Sequence, residues 1–290
     1  MTTVEEPALG GWSGDFSYEY YRTLIETLEA RFDVRPLSAF RTASRTQPLA
    51  LLRHDVDVCL DRAVELARFE RELGVRSTYM VIPDSPLYDV EANAEALRTI
   101  EAMGHEIGLH YAHEYGESED GSDDVDLERQ RMRIRRARRR LESLGIGPIA
   151  SVSFHLPTDR VLEGPSSIAG LVNAYGRELM STYISDSGGR WREGPPIGSI
   201  DGLTDPSTVQ VLTHPIWWGL SHEPPIVRYV ERVSEYDRLT DEMIDELVTI
   251  YPKAEPYVRA SARDWDADSI RASRTAGEPE RRRIPTSERP

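Results

Sequence analysis

LALLRHDVD (49–57) is the stretch whose reading decides the fold. Leu49, Ala50, Leu51 and Leu52 run without a break into Arg53, His54, Asp55 and, one residue on, Asp57. An apolar run that stops abruptly at charged residues reads as a buried strand of a parallel sheet, with polar groups gathered at its C-terminal end. Directly after it, CLDRAVELARFERELG (59–74) carries apolar residues at helical spacing and stops at Gly74, a common helix-ending residue.

The same unit repeats outward from there. VRSTYMVIP (75–83) reads as a strand, VEANAEALRTIEAMG (90–104) as a helix and HEIGLHY (105–111) as a strand. LERQRMRIRRARRRLESLG (127–145) is a further helix, and PIASVSFH (148–155), LMSTYISD (179–186) and VQVLTH (209–214) are further strands. Strands alternating with helices imply a parallel sheet. The pairs HD, HY, FH, SD and TH each fall at the C-terminal end of a strand. In a (β/α) barrel those ends converge on one face, whereas a flat doubly wound sheet would not collect so many around one point. Upstream, SYEYYRTLIETLEARF (17–32) reads as an amphipathic helix capped by Ser17. The expected organisation is an N-terminal helical extension over 1–44, a barrel over 45–261 that includes a helix at 240–251, and a disordered Arg-, Pro- and Ser-rich tail over 262–290. The acidic segment 114–126 reads as a mobile loop.

Composition narrows the function. With 290 residues, 39% hydrophobic and 29% charged, the chain reads as a soluble globular protein. A net charge of −15 argues against nucleic-acid binding through a broad basic face. No stretch has the apolar length to span a bilayer. The beginning, MTTVEEPALGGWSGD, is acidic and lacks the apolar core of a secretory signal, which sets the expectation of a cytoplasmic protein. Cys59 is the only cysteine, so an intramolecular disulfide and a thiolate-only metal site are excluded; a small buried thiol is the plain reading. The arginines of 127–145 read as a solvated helix face or, alternatively, an anion-binding stripe.

Several residues carry candidate chemistry. Asp55 and Asp57 are two apart, so on a continuing strand they face the same way. One can bind a divalent cation while the other takes a proton from a water; Asp57 could instead cap the following helix. GHEIGLHYAHE (104–114) brings His105, His110, His113 and Glu114 together, the ligand types of zinc and related cations. His105 opens its strand and should face away from the C-terminal end. His155 and Asp186 each end a strand; either could belong to a site or be, respectively, a hydrogen-bonded core residue and a turn residue. His214 is followed by Trp217 and Trp218. It could act as a general acid in an apolar wall, with the indoles stacking on a sugar or packing as core.

In order and spacing, RHDVD, GHEIGLH, ISDSGGRW and LTH resemble the motifs of the polysaccharide deacetylase family, in a divergent form, over residues 45–220. The resemblance implies a distorted (β/α)7 barrel with an Asp–His–His metal site. It makes Asp55 the catalytic base, Asp57 and His110 metal ligands, and His214 the general acid. It also makes Asp186 the group that orients His214, with Trp191 in the same motif. Two positions depart from the pattern. The family's second ligand histidine falls four residues after the first, where this chain has Glu114 with His113 before it; the third motif offers an arginine, where SFHLP offers His155. His155 is the preferred third ligand over His113 or Glu114, because a strand end is more rigid than the start of a loop. The implied function is a metal-dependent hydrolase with one divalent ion, zinc, that removes an acetyl group from a small-molecule or lipid-linked N-acetylated sugar. A hydrolase of another non-peptide C–N bond, or a catalytically inactive carbohydrate-binding relative, are the alternatives.

Overall fold

In the computed structural model, which describes residues 14–43, 46–112, 123–157, 159–162, 164–204 and 206–261, the stretch 49–57 forms the hub of one sheet. Along the chain the elements are α1 (Tyr18–Glu29), β1 (Asp33–Arg35), β2 (Leu49–Val56), α2 (Leu60–Leu73), β3 (Thr78–Val81), α3 (Ala94–Ala102), β4 (Glu106–Ala112), α4 (Asp123–Glu142) and β5 (Ser151–His155). There follow α5 (Asp159–Leu162), β6 (Ser167–Ile168), β7 (Leu171–Asn173), β8 (Tyr183–Ser185), α6 (Pro196–Asp201), β9 (Thr208–Thr213), α7 (Pro225–Ser234), α8 (Asp241–Ile250) and α9 (Glu255–Ser261). The strands lie in the order β6-β7-β5-β4-β3-β2-β9-β8, with β1 beside the first half of β2. Every pairing is parallel except the β6–β7 hairpin. Leaving out β1 and β6, spatial neighbours follow chain order in a circle, β2 through β5, then β7, β8, β9 and back to β2. Among the described residues no ladder joins β7 to β8. The result is a mixed α/β, barrel-like fold whose sheet is curled and open along one seam. Side chains bridge that seam: Gln210 Nε2 donates to the carbonyls of Ala174 (2.8 Å) and Leu179 (3.3 Å), and Arg53 donates to the Tyr175 hydroxyl (2.9 Å).

Alternation along the strands sets the layers. β2 is buried at every position, as a parallel strand covered on both faces must be. Leu49 and Leu51 point inward and pack with Met80, Val172 and Leu179 as an apolar plug. Gly108 belongs to this interior: a Cβ there would lie 2.4 Å from Met80 Sδ and 2.7 Å from Ser151 Oγ. Ala50, Leu52 and Val56 point outward into the cores beneath the helices. Above the plug the inward positions turn polar, with Arg53 and Gln210, and the next turn of the barrel carries Asp55, Asp57, His110, His155 and His214.

His54 faces outward and meets Glu70 of α2, the most heavily bonded acid of the core. Tyr21 (2.6 Å), Ser77 (2.6 Å) and Tyr79 (2.7 Å) donate hydroxyls to its carboxylate, and His54 Nε2 lies at 2.9 Å. Burial alone would raise its pKa; His54, with help from His105 and Ser77, overcomes this and holds it at about 2 against an ordinary 4.5. A depressed folded-state pKa contributes stability that is complete above the unfolded value and is lost as pH falls toward the folded one. That difference corresponds to about 3 kcal/mol. Urea unfolding between pH 5 and pH 2 should therefore show a loss of stability that is smaller in Glu70→Gln than in the wild type by about this amount. Equal losses would show that Glu70 does not carry the acid sensitivity.

Residues 14–43, the described part of the segment expected as an extension, pack into the same core. Ser17 caps α1 by accepting from Tyr20 N (3.1 Å), Tyr18 N donates to the Gly219 carbonyl (2.7 Å), and β1 extends the sheet. β1, β6 and β7 carry no readable periodicity at two or three residues each, and the strand expected at 179–186 shortens to β8 because Leu179 turns into the plug. α4 begins at Asp123, within the segment expected as a loop. Its arginines pair with acids, Arg135 with Glu128 (3.1 Å), Arg138 with Glu142 (2.8 Å) and Arg140 with Glu91 (2.9 Å), as a solvated face does. Among the described residues no helix is long and apolar enough to cross a membrane. Cys59 is buried, which pushes its thiol up to about 12.

Candidate metal centre

Three strands deliver three potential ligands to one point. Asp57 follows β2, His110 lies near the end of β4, and His155 ends β5. One ligand atom from each lies within 4.8 Å of the others, and the group is buried or nearly so. Asp57 Oδ1 is 3.1 Å from His110 Nε2 and 3.5 Å from His155 Nδ1. Neighbouring ligands about 2.0–2.1 Å from a tetrahedral zinc stand roughly 3.3 Å apart, so these separations fit. Asp57 Oδ1 is also buried without an aligned hydrogen bond, which leaves a lone pair for a cation. The donor set, one carboxylate and two imidazoles, suits zinc or a similar divalent metal. Asp57 is not a helix cap: the cap position of α2 is Cys59, with no side-chain bond.

Each imidazole has a second partner that orients it. His110 Nδ1 lies 2.6 Å from Ser153 Oγ, its partner across the β4–β5 ladder. His155 Nε2 lies 2.9 Å from the Glu246 carboxylate of α8, an ionic contact rather than an aligned hydrogen bond. His214, just past β9, sits beside the trio with Nε2 3.7 Å from Asp57 Oδ2. Its Nδ1 is 2.6 Å from Asp186 Oδ1. Asp186 is held in turn by the His214 N–H (3.2 Å) and the Trp218 indole N–H (2.9 Å).

Protonation follows from these contacts. Burial opposes a charged His214, but Asp186, with smaller help from Asp57 and Asp55, raises it to about 9. Burial likewise opposes a charged His155, and Asp57 and Glu246 raise it to about 10. Burial would neutralise Asp57, yet His110 and His155 hold it well below the carboxylate range. Asp55 is buried too. Arg53 overrides that by donating Nε to Oδ1 (2.8 Å) and Nη2 to Oδ2 (2.6 Å), which keeps Asp55 ionised.

These groups open into a cavity of about 600 Å3, within the range of small-molecule sites. Asp55, Asp57, His110, His155 and His214 form its floor, while Leu156, Leu162, Met180 and Ile250 line an apolar wall. Trp191 and Trp217 reach the cavity but are packed as core, Trp217 stacked on Tyr229 at 5.7 Å and Trp191 edge-on to Trp218 at 6.3 Å. His105 faces away from the site, as expected of a residue opening its strand, with Nε2 3.0 Å from the Ala67 carbonyl. His113 and Glu114 lie outside the described residues. Three neighbours of the site escape sequence reasoning, Arg53, Ser153 and Glu246, and the sequence reads Trp218 as an indole that stacks or packs rather than as a donor to Asp186. Strand parity could have found Arg53, two residues before Asp55, and Ser153, two before His155. No local signal marks Glu246, which a helix brings in from far along the chain. No family model matches this chain, and no curated protein matches it significantly.

Proposed function

We propose that the chain is a metal-dependent hydrolase of the polysaccharide deacetylase type, on a distorted (β/α)7 barrel, that removes an acetyl group from an N-acetylated sugar or sugar-containing precursor. The observation that carries this reading is the convergence of Asp57, His110 and His155 on one point beside Asp55 and an Asp186-held His214, all facing one cavity. Asp57, His110 and His155 would hold the ion. A divalent cation held there supplies Lewis acidity toward the amide carbonyl and makes water easier to deprotonate.

The chain's own residues supply the proton transfers. Asp55, ionised through Arg53, takes a proton from the water that adds to the carbonyl carbon. His214, protonated at neutral pH, gives its Nε2 proton to the amide nitrogen as the C–N bond breaks, so that acetate and a free amine leave. One acid held protonated and one carboxylate held ionised within the same cavity is the division of roles such chemistry needs. His155 must give up its own proton for an ion to bind, so affinity should rise with pH.

Zinc at about 100 times its dissociation constant should stabilise the metal-free protein by about 2.7 kcal/mol, read as a rise in thermal midpoint. The metal-loaded protein should release acetate from at least one N-acetylated sugar, free, nucleotide-linked or lipid-linked, and a chelator should abolish the release. Full metal occupancy with no acetate from any of them would point to a different C–N bond. Stability indifferent to zinc would remove the metal from the reading altogether.

A further inference from the structure

Glu246 is a buried acid on α8, with His155 as its basic contact. Burying a carboxylate is costly unless it is paired, so its position asks what the pairing achieves. His155 has two ring nitrogens, and the structure divides them: Nδ1 faces Asp57 at 3.5 Å, and Nε2 faces Glu246 at 2.9 Å. The other imidazoles are divided in the same way, His110 between Asp57 and Ser153 and His214 between Asp57 and Asp186. Glu246 is outside the group that could hold the ion; it stands behind one of its members.

We infer that Glu246 is a positioning residue for the metal centre: it keeps the Nε2 proton on His155, so that the Nδ1 lone pair faces the ion, and it ties α8 to the site. This rests on the metal reading above. A carboxylate behind a ligand histidine fixes the tautomer, limits ring rotation and makes the ligating nitrogen more basic. The need is local. His155 is the last residue of β5, and Leu156 after it takes a left-handed backbone with φ +51° and an exposed side chain. The strand therefore does little to hold the ring from beyond Cα. Elsewhere α8 is anchored: Leu247 is fully buried, and its carbonyl accepts the Tyr229 hydroxyl at 2.7 Å. The carboxylate is presented from a fixed backbone.

The test compares zinc affinity, by competition with a chromophoric chelator, in the full chain, Glu246→Met and Glu246→Gln. Met keeps the bulk and removes the acceptor; Gln keeps an amide oxygen. The Met variant should bind zinc about 10–100-fold more weakly than wild type, with Gln in between. The metal-free thermal midpoints should stay close to wild type, and the visible spectrum of the cobalt-loaded protein should shift in the Met variant. Zinc affinity within about twofold of wild type in the Met variant would overturn the inference. So would equal losses in both variants accompanied by a matching drop in metal-free stability, the mark of a purely structural role. If the Met variant does not fold, Glu246→Gln decides: unchanged affinity and an unchanged cobalt spectrum overturn the proposal. Wild-type protein that binds neither zinc nor cobalt would refute the metal site itself, a result distinct from the other two.

Discussion

His214→Ala is expected to lower turnover on an N-acetylated sugar by about 100–10,000-fold, the usual scale for losing a general acid, while metal content stays near normal. An amine leaves an acyl carbon poorly unless it is protonated as the bond breaks. In the proposed reading His214 takes that task, with Nδ1 2.6 Å from Asp186 and Nε2 facing Asp57. Its pKa, raised to about 9, means the wild-type side chain already carries the proton at neutral pH. An O-acetyl analogue, whose alkoxide leaving group needs less help, should suffer less from the same change. Equal losses on amide and ester, or loss of the ion along with activity, would make His214 a ligand or a structural residue and end this assignment.

The second large effect separates the two aspartates. Asp57→Ala should reduce zinc affinity by more than the ~10–100-fold typical of a residue that only supports a ligand. Asp55→Asn should keep the ion yet lose turnover on the same ~100–10,000-fold scale. Asn is the better replacement there, because Arg53 is wholly buried against Asp55, and removing the partner of a buried charge costs about 3–5 kcal/mol. Some loss of stability is expected even with Asn, so activity should be read on protein shown to be folded. His155→Ala should weaken zinc binding more than His113→Ala or Glu114→Ala. Metal retained by Asp57→Ala and lost by Asp55→Asn would exchange the two roles.

Much of this arrangement was legible in the linear sequence because parallel strands announce themselves. An apolar run such as 49–52 ending in RHDVD can hardly be anything else, and period-two alternation puts Asp55 and Asp57 on one side without further information. His155 was readable as a strand-end residue, and the structure brings it beside Asp57 and His110. What alternation cannot convey is depth and company. Nothing in GLVNAYG (170–176) indicates that Tyr175 will take a hydrogen bond from Arg53. Nothing in DEMIDELV (241–248) separates Glu246 from the solvated acids around it, because its burial depends on where α8 lands. The tryptophans invited a sugar-stacking reading, but Trp191, Trp217 and Trp218 are all buried, with Trp217 stacked on Tyr229 and Trp191 and Trp218 packed edge-on. Asp55 takes its paired arginine from its own strand, Arg53.

The seam between β7 and β8 leaves the sheet with one line that no backbone ladder closes among the described residues. The three metal candidates lie on or just beyond β2, β4 and β5, inside an unbroken run of parallel ladders. Much of the cavity wall, including Tyr175, Met180, Tyr183, Ser187, Arg192 and Gly194, comes from the chain between and just after the seam strands. Backbone amides along such a line open at lower free energy than those within a continuous ladder. Hydrogen exchange is then expected to be faster along 174–194 than in the ladders of β2, β4 and β5. Substitutions at Met180, Ser187 and Arg192 should therefore reshape the wall with little disturbance to Asp57, His110 and His155.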